Sequence, residues 1–232
     1  MTGLRETKKR QTRKAILTAA IKLFSEKGFE ETSIEELARA AGVGKGTIYG
    51  YFRTKQEIFL AFCEEEIEYV FTRLEQEGDP AAPLLDQIVF LSMCQFDFVT
   101  QNREFGRLFC REMAYPREKN LEASSEINAR YLSKVMEIII RAKQHGELKA
   151  EADPLLALAN FHSFYLMVLS GWYSGFLETR EMVENMLRAL CWQSLVGWAA
   201  DDPGSEPDWK VMNQIKRPIM ESMQGSLKHT KE

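Results

Sequence analysis

The segment from Ser33 to Phe52 constrains the fold most, because it encodes two helices joined by a turn too tight for most side chains. Thr32 and Ser33 each precede a glutamate by three residues, which is the capping-box spacing at the start of a helix. Gly42 ends this helix, and a short helix is predicted over residues 45–51. Small and apolar residues stand where the two helices would meet: Ile34, Leu37, Ala38, Ala41, Val43 and Ile48. The pattern favours a helix-turn-helix, although an ordinary αα-corner uses the same glycine.

Helical periodicity continues through the rest of the chain, and no segment shows a convincing strand alternation. Caps, glycines and prolines delimit further predicted helices at about 9–27, 55–76, 83–101, 104–114, 120–145, 154–171 and 179–198. The sequence therefore predicts an all-α protein in three segments. These are an N-terminal three-helix head (1–55), a larger helical ligand-binding and dimerisation body (56–200), and a linker with a C-terminal tail (201–232).

The basic charge of the chain is concentrated in the head. Residues 1–55 hold 12 lysines and arginines against six acidic residues, and the remainder holds 18 against 28, within a net charge of −4. A basic head on an acidic body indicates that only the head meets a polyanion such as DNA. A solvated charged face is the alternative explanation for the basic residues of the first helix.

The short helix at 45–51 has an unusual outer face. If Val43 and Ile48 point inward, then Lys45, Gly46, Tyr49 and Gly50 point outward. A glycine inside a helix costs about 1 kcal/mol relative to alanine, so glycines on this face need a reason. Close approach of the backbone to a DNA groove supplies one. Tyr49 and Tyr51 can donate hydrogen bonds to phosphates, and Lys45 can reach a phosphate or a guanine edge.

The run from Thr32 to Lys55, together with the preceding Leu23-Phe24-Ser25-Glu26-Lys27-Gly28-Phe29, closely resembles the signature of the tetracycline-repressor (TetR) family. The resemblance covers about residues 10–62. It implies that Thr32 contacts a phosphate at the start of the second helix, and that Lys45, Thr47 and Tyr49 contact bases or phosphates. It also implies that Tyr51 and Lys55 hold the DNA backbone. With Gly46, these residues form the predicted DNA-binding set. Gly50 departs from the family, whose members often carry a larger side chain there, and this puts a base contact from that position in doubt.

The body is rich in aromatic residues and methionine, and most of these side chains are expected to be ordinary core. The resemblance implies a ligand cavity among the fifth to eighth helices, and polar residues within apolar stretches could orient a small apolar or amphipathic effector there. The predicted ligand-binding set is Asp97, Phe98, Glu112, Met113, Phe161, His162, Tyr165 and Trp172. His162 by itself is also typical of a satisfied buried histidine.

The last two long helices combine small residues with large apolar ones, which permits close packing. The resemblance implies a homodimer through these helices and a palindromic operator in double-stranded DNA, with half-sites roughly 34–36 Å apart. It also implies that an effector favours a second conformation and thereby releases the repressor from DNA.

The sequence lacks the motifs of other functional classes. The chain has no Glu-x-x-His pair, no serine–histidine–aspartate cluster and no phosphate loop, so we expect no enzyme and no cofactor. The four cysteines have no zinc-ligand spacing, and no metal is expected. Without a signal peptide or a sufficiently long apolar run, the protein is expected in the cytoplasm and off the membrane. An activator, or a small-molecule-binding helical protein that no longer uses its head on DNA, is the alternative.

Overall fold

The computed structural model describes residues 2–114 and 121–201, with positions 204, 205, 208, 210, 211, 213 and 214 beyond them. This part of the chain forms nine α-helices, and its only β-structure is an isolated bridge between Leu148 and Ala199. The helices are α1 (Thr2–Lys27), α2 (Ile34–Ala41), α3 (Lys45–Tyr51), α4 (Lys55–Glu77), α5 (Leu84–Val99), α6 (Arg103–Ala114), α7 (Leu121–Gln144), α8 (Pro154–Ser174) and α9 (Arg180–Leu195). The prediction of an all-α fold with an N-terminal helix-turn-helix is confirmed.

The ends of α2 follow the local signals in the sequence. The backbone N–H of Glu36 donates to the Ser33 side chain, and the backbone N–H of Ser33 donates to the Glu36 carboxylate at 3.0 Å. Lys27 pairs with the same carboxylate, and these contacts lower the pKa of Glu36 to about 2. Gly42 takes the left-handed conformation at φ 67°, which a residue with a Cβ adopts only at a cost. The turn into α3 therefore depends on glycine at this position.

The chain divides into two compact units. The first unit contains residues 1–72 and 95–131, and the second contains residues 73–94 and 132–232. The division does not follow the predicted segment boundary after residue 55, because the first unit joins the head helices to most of α4 and to α6. Within this unit α6 packs against α1 of the head.

Aromatic side chains form much of the first unit's core beyond the head. The rings of Phe62 and Phe105 lie 3.9 Å apart between centroids, and Phe62 also contacts Phe98 at 5.0 Å. Phe59 packs on Phe105, and Tyr69 packs on Phe98. These contacts join α4 to the end of α5 and to α6.

In the second unit α8 and α9 pack against each other across a short connection. Asp153 caps α8, as predicted, by accepting hydrogen bonds from the backbone N–H groups of Leu155 and Leu156. The α8 helix ends at Gly175 in the left-handed conformation, and Thr179 caps α9. By length and composition α8 is apolar enough to cross a membrane, and 33% of its most apolar window is buried. Much of this apolar helix is thus uncovered in the single chain.

A buried carboxyl group lies in the first unit on α4. Glu66 is 1% exposed, and its Oε1 atom has no hydrogen-bond partner among the described residues. Burial raises the pKa of this carboxyl from 4.5 to about 8, while a hydrogen bond with the Gln95 side chain opposes the shift. The folded protein therefore holds Glu66 protonated at neutral pH.

We predict that Glu66→Gln changes how the stability depends on pH. Between about pH 5 and about pH 8 the unfolded carboxyl ionises while the folded one keeps its proton, so the wild-type protein loses stability as pH rises, by up to about 1.4 kcal/mol per pH unit. The variant lacks this loss. Its free energy of unfolding, measured in urea, should therefore rise relative to that of the wild type as pH increases across this range. Glu68→Gln on the exposed side of the same helix is the control. Parallel pH profiles for wild type and Glu66→Gln would contradict the prediction.

Candidate nucleic-acid interface

Helix α3 is seven residues long and is held to the head by buried apolar side chains. Ile48 is 0% exposed, and Phe52 directly after the helix is 5% exposed. A helix this short is not stable by itself in water, so its position depends on these contacts. With Ile48 inward, an exposed surface remains on the other side of α3. We call it the α3 surface, and it consists of Lys45, Gly46, Thr47, Tyr49 and Gly50.

The glycines of the α3 surface are not required by packing within the chain. A Cβ atom built on Gly46 or Gly50 meets no atom within 4 Å. Neither residue has the positive φ that would demand glycine. The two glycines leave bare backbone beside the exposed ring of Tyr49, which suits close approach of a large partner.

Lys45 is engaged within the head. Its ammonium pairs with the Glu35 carboxylate of α2 and lies 6.0 Å from the centre of the Tyr49 ring. The hydrogen bond between the two side chains raises the pKa of Lys45 and lowers the pKa of Glu35. Both side chains are about half exposed, at 50% and 56%, so water screens the pair and its contribution to stability is small. The pair places an anion where a DNA phosphate would meet Lys45.

Thr32 and Lys55 make contacts within the head that the sequence patterns did not predict. Thr32 is 1% exposed, and its hydroxyl donates to the Gly28 carbonyl at 2.8 Å. Ser33 rather than Thr32 caps α2. Lys55 donates to the carbonyls of Phe29 and Glu30 at 2.7 and 2.9 Å. Both side chains thus brace the loop between α1 and α2. A phosphate contact from the Thr32 hydroxyl would have to replace its bond to Gly28, whereas the Lys55 ammonium has a third N–H for a phosphate.

The other head residues either contact neighbouring side chains or are exposed to solvent. Arg13 of α1 pairs with Glu64 and Glu65 of α4 and lies 5.7 Å from the centre of the Phe52 ring. This arginine therefore ties α1 to α4. Tyr51 is half-buried with its ring 6.4 Å from that of Phe52. Other basic residues of α1 are exposed: Lys8, Lys9, Arg10 and Lys14.

The predicted ligand-binding residues fall in both units. In the first unit Asp97 and Phe98 are half-buried on α5, and Phe98 belongs to the aromatic core described above. The side chains of Glu112 and Met113 lie outside the described residues. A contact of these residues with an effector stays a prediction.

In the second unit the predicted residues lie along α8. Phe161 and Tyr165 are buried at 2% and 4% exposure, as expected of core residues. His162 and Trp172 are half-buried. The Nδ1 atom of His162 is buried without a hydrogen-bond partner among the described residues, and burial lowers the pKa of the ring. His162 is therefore neutral at physiological pH and available for a hydrogen bond.

The second unit also contains a cleft of about 500 Å³ that is lined by none of the predicted ligand residues. We call it the α5–α9 cleft, and residues that line it include Gln87, Val89, Phe90, Met93, Ile138 and Arg141. Gln87 and Arg141 are 54 positions apart in the sequence, so no local pattern predicts their hydrogen bond. The only sequence signal is an arginine next to apolar residues on a helix face. Among the described residues, no group of three or more histidine, cysteine or carboxylate side chains is arranged to hold a metal.

Comparison with known proteins supports a regulatory role for this architecture. Residues 16–62 match the family model described as bacterial regulatory proteins, tetR family. A curated relative, the fatty acid metabolism regulator protein of Bacillus subtilis, is 27% identical over 145 residues, which cover 61% of this chain and 73% of the relative. Both descriptions are of regulatory proteins.

Two solved structures share the fold. The fatty acid degradation regulator FadR of Bacillus halodurans is 22% identical with a TM-score of 0.67, covering 77% of this chain and 97% of that one. FadR of Bacillus subtilis in complex with stearoyl-CoA is also 22% identical with a TM-score of 0.67, covering 76% and 96%. The likeness extends the match from the head to the helical body.

We predict that Glu35→Gln strengthens binding to duplex DNA. The change removes the carboxylate that competes with phosphate for Lys45, and the energies of exposed ion pairs translate into about a two- to fivefold gain at low salt. Fluorescence anisotropy across a salt series measures it. Glu31→Gln is the matched control, because it removes the same charge from an exposed position nearby. An equal gain in both variants would show that only the net charge matters.

Proposed function

We propose, from the match of residues 16–62 to the tetR family model and the likeness in fold to solved regulators, that this chain is a ligand-responsive transcriptional repressor of that family. It would bind a palindromic operator as a homodimer and leave the DNA when a small amphipathic molecule occupies its body. Such a protein acts in the bacterial cytoplasm. The proposal rests on the α3 surface. Its glycines and the exposed Tyr49 are not required by packing among the described residues, so they indicate a partner outside the chain.

The head supports DNA recognition through the charges and shape of the α3 surface. Lys45, Thr47 and Tyr49 are exposed side chains on a helix that inserts into the major groove in proteins with a helix-turn-helix. The bare backbone at Gly46 permits close approach to the groove. Exposed lysines of α1 add phosphate contacts that are independent of sequence. We assign base reading chiefly to these three side chains, since Gly50 offers none.

The second unit supports dimerisation through α8 and α9. Large apolar side chains stand exposed there: Leu155 at 64%, Leu156 at 61%, Met167 at 46%, Phe176 at 55% and Val196 at 49%. Exposed apolar side chains along two helices that pack together are typical of a protein interface. A second copy of the chain would cover it by forming a four-helix bundle, which also accounts for the high hydropathy of α8 without a membrane.

Release of DNA requires that the effector bind two conformations with different affinities. The packing of α6 on α1 within one compact unit supplies a physical route from the body to the head. An effector that moves α6 would displace α1 and hence the α3 surface. Stearoyl-CoA, which is bound in the solved FadR of Bacillus subtilis, is the first amphipathic molecule to test.

The operator is expected to lie near the gene for this protein, where footprinting of the full-length chain locates it. Lys45→Gln and Tyr49→Phe should each weaken operator binding by about three- to tenfold, because each removes a single contact to DNA. Lys22→Gln, an exposed α1 residue paired with Glu26, serves as the control. A reporter driven by the operator should become active when the gene is deleted. Unchanged affinity in both α3 variants, or loss of reporter expression on deletion, would contradict repression through this surface.

We predict that Leu156→Glu converts the dimer to a monomer in detergent-free buffer. A charged group within the proposed apolar interface has to be desolvated when two copies associate, which outweighs the packing gain. Sedimentation velocity reports the change in mass. Glu151→Gln in the nearby α7–α8 loop is expected to leave the dimer intact. A wild-type protein that is monomeric at micromolar concentration would refute dimerisation.

A further inference from the structure

The α5–α9 cleft lies within the second unit and is separate from the residues to which ligand binding was assigned by sequence. Its lining comes from the end of α4, the loop at 78–82, α5, α7 and α9. A volume of about 500 Å³ falls within the range of small-molecule pockets in proteins.

The floor of the cleft is apolar and its mouth is polar. Val89, Met93 and Ile138 are 1%, 3% and 2% exposed, whereas Glu75 and Asp79 on the lining are exposed to solvent. A molecule entering the cleft would therefore bury an apolar group against these side chains, at about 25 cal/mol per Å² of surface removed from water.

Arg141 lies near this floor, about one turn beyond Ile138 on α7. It is half-buried, and its guanidinium donates to the Gln87 side-chain oxygen at 2.7 Å. The Gln87 amide is itself fixed, since it donates to the Ala82 carbonyl at 2.6 Å. Arg141 is thus oriented by a buried neutral side chain, which leaves its charge uncompensated.

The other cations that line the cleft already have carboxylate partners. Lys134 pairs with Glu137 and Arg180 pairs with Glu184, both at 2.9 Å. Arg188 pairs with Asp86 on α5 and with Glu184. Among the described cations of the lining, Arg141 is the one without a carboxylate.

The charges of the cleft differ in how strongly water screens them. Glu75 and Asp79 have no cation against them among the described residues, but both stand at the exposed mouth, where solvent screens their repulsion of an anion. Arg141 lies deeper, where a bidentate bond to a carboxylate is less screened. A single negative charge at Arg141 is therefore favoured. Further negative charges on a head group would find only cations that already have carboxylate partners.

We propose that the α5–α9 cleft binds a small amphipathic monocarboxylate, with its apolar body on Val89, Met93 and Ile138 and its carboxylate on Arg141. The proposal concerns binding by the free protein, and it stands whether or not binding alters affinity for DNA.

Three probes with the same alkyl chain test the head-group preference on the wild-type, full-length protein. Isothermal titration calorimetry below the micellar concentration compares decanoate, the neutral decanamide and the cationic decyltrimethylammonium. Decanoate should bind at one site per chain and at least tenfold more tightly than either analogue, which corresponds to about 1.4 kcal/mol. Absence of saturable decanoate binding, or preference for the ammonium or amide probe, would overturn the proposal without any variant.

Two variants then locate the site. Arg141→Gln removes the charge but keeps a hydrogen-bonding group beside Gln87, and it should weaken decanoate binding about tenfold while leaving decanamide binding unchanged. Arg180→Gln removes a cation that is already paired and should change decanoate binding by less than about twofold. Circular dichroism verifies that both variants fold. Equal losses in the two variants, or a loss of decanamide binding with that of decanoate, would place the carboxylate elsewhere.

The operator experiment distinguishes this site from the proposed function. If stearoyl-CoA releases DNA from Arg141→Gln as it does from wild type, effector control operates through another site and the cleft is a second one. If decanoate binds through Arg141 while no ligand changes operator affinity, the cleft stands and ligand-responsive repression fails.

Discussion

The burial of Ile48 is the interaction on which the α3 surface, and with it the proposed DNA recognition, depends. Helix α3 has only seven residues and no side-chain cap at its start, so it cannot hold its own conformation. Ile48 at 0% exposure and the left-handed Gly42 before it determine where the helix lies and which face it turns outward. Every assignment of Lys45 and Tyr49 to DNA follows from that orientation. Loss of the Ile48 contact would therefore abolish recognition before any contact to a base was changed.

The two units are both helical, but they differ in how completely they bury their apolar side chains. The first unit joins the small head to α6 and to an aromatic core, so the head gains buried area that its three helices cannot provide by themselves. The second unit leaves apolar side chains such as Leu156 exposed, which a single chain tolerates poorly in water. The first arrangement suits transmission of movement to the head, and the second suits association of two copies.

Local patterns in the sequence predicted what depends on neighbouring residues, such as the capping box at Ser33 and the cap of α8 at Asp153. They did not predict the bracing roles of Thr32 and Lys55, because the carbonyls that engage these side chains are positioned by tertiary packing. Glu66 was missed because it stands among exposed glutamates and reads as part of a solvated face. The α5–α9 cleft was missed because its residues come together only when α5, α7 and α9 pack.

The pairing of Lys45 with Glu35 bears on how quickly such a protein finds its site. A regulator present in few copies spends most of its search on random sequence, where affinity comes almost entirely from lysine and arginine contacts to phosphate. With Lys45 on phosphate as proposed, a built-in carboxylate that must be displaced from it would shorten each of those encounters. Correct base contacts would offset the displacement only at the operator. The ion pair would thus trade residence time on random DNA for a faster scan of the chromosome.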